Sequence, residues 1–257
     1  MASHIRCLLI AGGLSVVAHA ASAETYIGGS IGWSFDQNIT SVKGDENTNY
    51  PDPPDPNTLP LLAGSRISDL RLEDSVNLGL KAGYFFDQAP ALGIEGEFNF
   101  AQPNFRRQLV TLTHPDFVNI SPDGSDHVTE DQLPAHADKF MLALNAVLRY
   151  QGLKDLTPYI AGGPALFIFH VHGTGFSGII PEFGIPGEPG PLLNETTVEL
   201  GFDAKAGIEY NLGDNWALGA EYRYEWTPIS LDNFRSLSNA SGHYHGSSVD
   251  LTIVKHF

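Results

Sequence analysis

Thr196-Thr197-Val198-Glu199-Leu200-Gly201-Phe202-Asp203-Ala204-Lys205-Ala206-Gly207-Ile208-Glu209-Tyr210 repeats with a period of two. Val198, Leu200, Phe202, Ala204, Ala206, Ile208 and Tyr210 share one parity. Glu199, Gly201, Asp203, Lys205, Gly207 and Glu209 share the other. A helix would scatter those charges around its circumference, whereas a strand sorts them onto one face. The next segment repeats the pattern: Trp216, Leu218, Ala220, Tyr222, Tyr224 and Trp226 alternate with Ala217, Gly219, Glu221, Arg223 and Glu225. Between the two lie the turn-formers Asn211-Leu212-Gly213-Asp214-Asn215.

Working outward, the same alternation predicts strands at 25–35, 75–86, 91–100, 139–150 and 248–257. The segment 158–171 is apolar on both parities and contains Pro164, so its register is open. That makes eight strands. Their connections alternate long and short: 36–74, 87–90, 101–138, 151–157, 172–195, 211–215 and 227–247.

A soluble β-sandwich also alternates, so the character of each face decides. A sandwich core has no reason to gather aromatics at strand ends. Here Trp33, Phe35, Phe98, Phe100, Phe140, Tyr224 and Trp226 lie beside the long connections, and Tyr84, Phe86, Tyr150, Tyr159, Tyr210, Trp216 and Phe257 lie beside the short ones. Two girdles around an apolar band, with polar residues facing the other way, point to an all-β, eight-stranded, antiparallel up-and-down transmembrane barrel. Segments of about 9–11 residues can cross the hydrocarbon when tilted, and only a closed sheet can satisfy its backbone there. The long connections are then extracellular and the short ones periplasmic.

Composition fits this reading. Of 257 residues only 17% are charged, yet the net charge is −16, and mean hydropathy is −0.10. The acidity argues against a nucleic-acid partner, and the absence of a long apolar run from the body of the chain excludes a helical membrane bundle. The four long connections hold 18 acidic and 6 basic residues, which places most of the negative charge outside the cell. Such a surface repels anionic lipopolysaccharide unless divalent cations bridge the two.

Residues 1–23 have the zones of a secretory signal: Arg6, an apolar stretch from Cys7 to Val17, and the small-residue end Ala21-Ser22-Ala23. Cleavage there leaves 24–257 as one barrel domain. It also removes Cys7, the only cysteine, and with it any disulfide or thiolate metal site.

The signal end, the opening Thr25-Tyr26-Ile27-Gly28-Gly29-Ser30-Ile31-Gly32-Trp33, the strand start Leu156-Thr157-Pro158-Tyr159-Ile160-Ala161-Gly162-Gly163 and the terminal Phe257 together resemble the small OmpA-like and Opa-like outer-membrane barrels. The resemblance covers the mature chain and implies fold rather than activity. It implies a Gram-negative outer membrane, contact with outer-membrane lipid and lipopolysaccharide, and recognition of Phe257 by the barrel-assembly machinery. The peptidoglycan-binding domain that follows the barrel in full-length OmpA is not among these residues. Lys255, on the lipid parity of the last strand, is tolerable near the interface.

No residue is assigned a catalytic, cofactor-binding or metal-ligating role. The alternation sends Lys81, Glu95, Glu97, Lys139, Arg149, Glu199, Asp203, Lys205, Glu209, Glu221, Arg223, Glu225 and Asp250 inward. An eight-stranded barrel has room for side chains and little else, so these should form ion pairs rather than line a pore. His170-Val171-His172 and His243-Tyr244-His245 each aim two imidazoles to one side, as a metal site needs, but no pattern brings the two pairs together. Ser236-Leu237-Ser238-Asn239-Ala240 followed by Asp250 is similar in spacing to the site of lipid A deacylases, yet Ser236 stands where those enzymes carry the histidine that would activate Ser238. The expected function is therefore non-enzymatic: display of four acidic loops for envelope integrity, surface recognition or adhesion, with an extracellular ligand taken by the loops. The alternatives are a deacylase-like lipid A-modifying enzyme or a narrow porin.

Overall fold

Among the described residues twelve strands, numbered in chain order, form one antiparallel sheet: β1 (Glu24–Gly44), β2 (Arg66–Ile67), β3 (Leu70–Arg71), β4 (Ser75–Phe86), β5 (Ala89–Ala101), β6 (Gln108–Thr113), β7 (His127–Gln132), β8 (Ala135–Arg149), β9 (Leu156–Thr174), β10 (Leu192–Gly213), β11 (Trp216–Leu231) and β12 (Ala240–His256). The eight long ones pair in the order β1-β4-β5-β8-β9-β10-β11-β12, and β12 returns to β1 to close the ring. This computed structural model describes residues 24–44, 64–119, 124–132, 134–174, 192–231 and 240–257. The signal segment, the proline run of 50–56, the prolines of 181–191 and Ser236 to Asn239 lie outside the described residues.

The faces follow the alternation. Ile27, Ile31, Leu78, Leu80, Ile94, Leu142, Leu144, Leu148, Leu200, Leu218, Leu251 and Ile253 are exposed on the outside. On a closed sheet with buried charges inside, that exposed apolar belt is the surface that meets lipid. A shallow groove over Gly29, between Ile31, Leu80 and Ile253, belongs to the same belt. Trp33, Phe98, Tyr224 and Trp226 mark one edge, and Phe86, Tyr150, Tyr210, Trp216 and Phe257 mark the other. Lys255 donates to the carbonyl of Asp214 at 2.5 Å and lies over the Trp216 ring, so its charge is held at the interface. Tyr159 departs from its predicted place in the girdle. It faces the lumen, because its hydroxyl donates to the buried Glu221 carboxylate.

Short connections have simple causes. Asp214 and Asn215 both adopt positive φ, 49° and 61°, and close the β10–β11 hairpin as a two-residue turn of the kind that matches strand twist.

The outer ends differ from the sequence reading. β1, β8, β9, β10, β11 and β12 run past the predicted limits, and the connection 101–138 contains the β6–β7 hairpin and a short 3-10 turn. In β1 the alternation is interrupted by bulges between Phe35 and Asn38 and between Thr40 and Lys43, with Asp36 and Ser41 at positive φ. Each bulge shifts the inward parity, so Ser34, Gln37, Ile39 and Val42 all face in. The two-residue strands β2 and β3 then pair with the top of β1, and β2 pairs with β6.

β9 has a regular register after all: it pairs with β10 without interruption from Leu156 to Thr174. Both its faces are apolar because the outward face meets lipid while Phe167, Phe169 and Val171 pack into the outer lumen. Its pairing with β8 passes from Ala143↔Ala165 to Ala146↔Gly162 in unchanged register. Pro164, which has no N–H, lies in that gap.

Candidate functional site

The thirteen inward charges line one lumen and split into levels. At the periplasmic end the Arg149 guanidinium donates to both Glu24 carboxylate oxygens at 2.8 and 2.6 Å, and His256 lies 2.6 Å from Glu24 and 3.7 Å from Glu209. In the middle, Lys205 approaches Glu95 at 2.6 Å and Glu97 at 2.5 Å, and Lys81 approaches Glu221 at 3.1 Å. Arg223, fully buried, pairs with Glu97, with Glu221 at 3.3 Å and with Asp250 at 3.6 Å. Lys139 and Glu225 form a further pair above them.

Carboxylates outnumber cations here, and neutral donors take up the surplus. Tyr26 donates to Glu95 at 2.8 Å, Asn145 to Asp203 at 2.9 Å and Ser248 to Asp250 at 2.9 Å. The Ser230 N–H and the Thr197 hydroxyl serve Glu199. A buried charge is tolerable only when paired and hydrogen-bonded in this way.

Above the charged levels the lumen turns apolar, which the sequence reading did not foresee. Ile39, Leu70, Leu72, Phe105, Met141, Phe167, Phe169, Ile229 and Tyr244 form one buried cluster, extended outward by Val110, Leu112 and Phe117. β3 contributes Leu70, β6 contributes Val110 and Leu112, and the two-stranded bridges of Phe105 with Leu72 and Ala135 tie the cluster across the opening. The signal available in the sequence was the double apolar parity of 158–171, which only a dry outer lumen explains.

The histidine pairs face outward. His170 and His172 lie on β9, His243 and His245 on β12, with β10 and β11 between them on the ring. The structure therefore keeps the two pairs apart, and instead sets His136 of β8 directly opposite His172. His243 stacks on Trp226 at 5.4 Å. Asp250 points into the lumen towards Arg223, away from the lipid face, and so lends no support to a deacylase site.

The model of the outer membrane protein beta-barrel domain matches residues 7–253. The chain belongs to that family. This outer-membrane barrel lies in the Gram-negative outer membrane and crosses it with its strands. The outer membrane protein OprG from Pseudomonas aeruginosa is similar in fold, with a TM-score of 0.51 at 14% identity over 93% of this chain and 97% of that one. Ail, the attachment invasion locus protein of Yersinia pestis, matches at 14% identity and TM-score 0.40 over 92% of this chain and all of that one. Neisserial surface protein A matches at 9% identity and TM-score 0.45 over the same shares. No curated protein matches the chain. At these identities the likeness speaks to fold alone.

Proposed function

We propose that this barrel is a non-enzymatic surface protein that displays its acidic outer segments for recognition or adhesion and contributes to envelope integrity. The observation that carries the reading is the filled lumen: ion pairs below and an apolar cluster above leave the outer surface as the place where a ligand can be met. Phe257 serves as the signal read by the assembly machinery, a reading supported by its exposure at the periplasmic end with its N–H on the Thr25 carbonyl at 2.8 Å. Residues 1–23 act as the secretory signal, and intact mass of the mature protein should begin at Glu24.

Removal of 45–63 tests display without disturbing the scaffold. Gly44 and Gly64 already meet across the cut, with the Gly64 N–H on the Gly44 carbonyl at 3.2 Å. Expressed in a Gram-negative host, the shortened chain should keep heat-modifiable migration on gels and lose cell adherence relative to the full chain. Unchanged adherence in the shortened chain would count against these residues as the displayed element, and release of fatty acid from lipopolysaccharide by the purified barrel would overturn the non-enzymatic reading.

A further inference from the structure

We propose that His136, His170 and His172 form a transition-metal site on the outer rim of the barrel, taking Zn²⁺ or Cu²⁺. The site goes beyond display by the loops, since it is built on strands.

β8 and β9 pair His136 with His172 and, two residues on, Asp138 with His170. Residues of the same parity on neighbouring strands share a face, so these four side chains occupy the corners of one small patch on the outside. His136 and His172 are exposed and His170 half-buried. Phe140, the next outward residue of β8, belongs to the aromatic girdle, so the patch stands just above the lipid boundary.

The spacing suits one ion. The His136 and His172 ring centres are 5.3 Å apart, and those of His170 and His172 are 5.4 Å apart. Two imidazoles bound to one tetrahedral Zn²⁺ through nitrogens at about 2.0–2.1 Å have their ring centres roughly 5 Å apart. As they stand the His136 and His172 rings stack and the His170 ring is tilted to His172, and among the described residues no three such groups already converge on one point. Ligation therefore needs the exposed His136 and His172 rings to turn about χ1 and χ2 toward His170, which the open rim allows, while the strands hold the Cβ positions.

Two neighbours tune the patch. The Thr196 hydroxyl lies 3.0 Å from His170 Nδ1, which fixes that ring and leaves Nε2 to ligate. Gln102 donates to Asp138 Oδ1 at 2.8 Å, so the carboxylate is held beside His170 as a fourth donor. Three nitrogens and one oxygen suit Zn²⁺ or Cu²⁺ and not Mg²⁺. On β12, by contrast, His243 is stacked on Trp226, and no third imidazole is registered beside His243 or His245: the opposing residues are Thr40 and Asn38 on β1 and Pro228 and Trp226 on β11.

Calorimetric titration of the refolded chain with ZnCl₂ tests the site. The expected result is one ion per chain with saturation at micromolar concentration, no response to MgCl₂, loss of saturable binding in His172→Ala, about tenfold weaker binding in Thr196→Val, and no change in the double variant His243→Ala/His245→Ala. Absence of saturable binding in the wild type, or binding that survives His172→Ala, would overturn the proposal. Should His172→Ala fail the heat-modifiability check, electron paramagnetic resonance of Cu²⁺ on the wild type decides: coupling to three nitrogens supports the site, and coupling to fewer refutes it.

Discussion

Tyr244 and Phe169 meet edge to face, their ring centres 5.0 Å apart, at the level where the charged lumen gives way to the apolar one. The Tyr244 ring belongs to the apolar side. Its hydroxyl belongs to the polar side, 2.9 Å from Gln37 Oε1, and accepts from Lys139 at 3.3 Å. One residue thus seals the boundary between the two halves.

That arrangement separates two costs. Phe169→Ala empties buried ring volume and should destabilise the barrel by about 3–5 kcal/mol. Tyr244→Phe keeps the ring but leaves Gln37 and Lys139 short of a partner, at about 1–3 kcal/mol. Urea unfolding in lipid vesicles measures both. A Phe169→Ala barrel as stable as the parent would mean that the outer cluster is not packed as described.

Arg223 holds the middle of the ion network. Arg223→Met removes the cation shared by Glu97, Glu221 and Asp250, leaving buried carboxylates uncompensated, and should cost about 3–5 kcal/mol. Adding Glu97→Gln should recover part of that loss, because it withdraws one of the stranded charges. If the double variant is as unstable as the sum of the two single variants, the pair does not interact in the folded barrel.

Gly163 is needed for close approach of β8 and β9. A Cβ there would meet the Leu144 carbonyl oxygen at 2.0 Å, and since that contact is backbone, the strands would have to part. Gly163→Ala should cost about 1–3 kcal/mol, whereas Gly96→Ala, which meets nothing within 4 Å, should stay within about 0.5 kcal/mol of wild type. Equal stability of the two variants in the same urea assay would contradict the strand geometry.

The lipid-spanning part of this fold was legible because a barrel wall imposes one rule on each residue: apolar outward, small or charged inward. β4 matches its predicted limits of 75–86, and the thirteen charges assigned to the lumen all face it. The outer third was not legible, for local reasons. Bulges at Asp36 and Ser41 break the parity of β1, β2 and β3 are two residues long and carry no period, and Phe167 and Phe169 are apolar where a charged lumen would call for polar groups. The position of Tyr159 at a strand end predicts the girdle, but its odd parity matches the inward Ala161. His136 lies before the predicted strand start at Lys139, whereas β8 begins at Ala135. The alternation continues back through Asp138 and His136, which share the outward parity of Phe140.

The lumen is closed by its own side chains, charged below and apolar above. Single-channel recording of the refolded barrel in planar bilayers decides whether it is. The wild type should show no steady conductance, and Phe167→Ala/Phe169→Ala should leave the baseline more often than the parent. A large, steady conductance in the wild type would mean an open lumen.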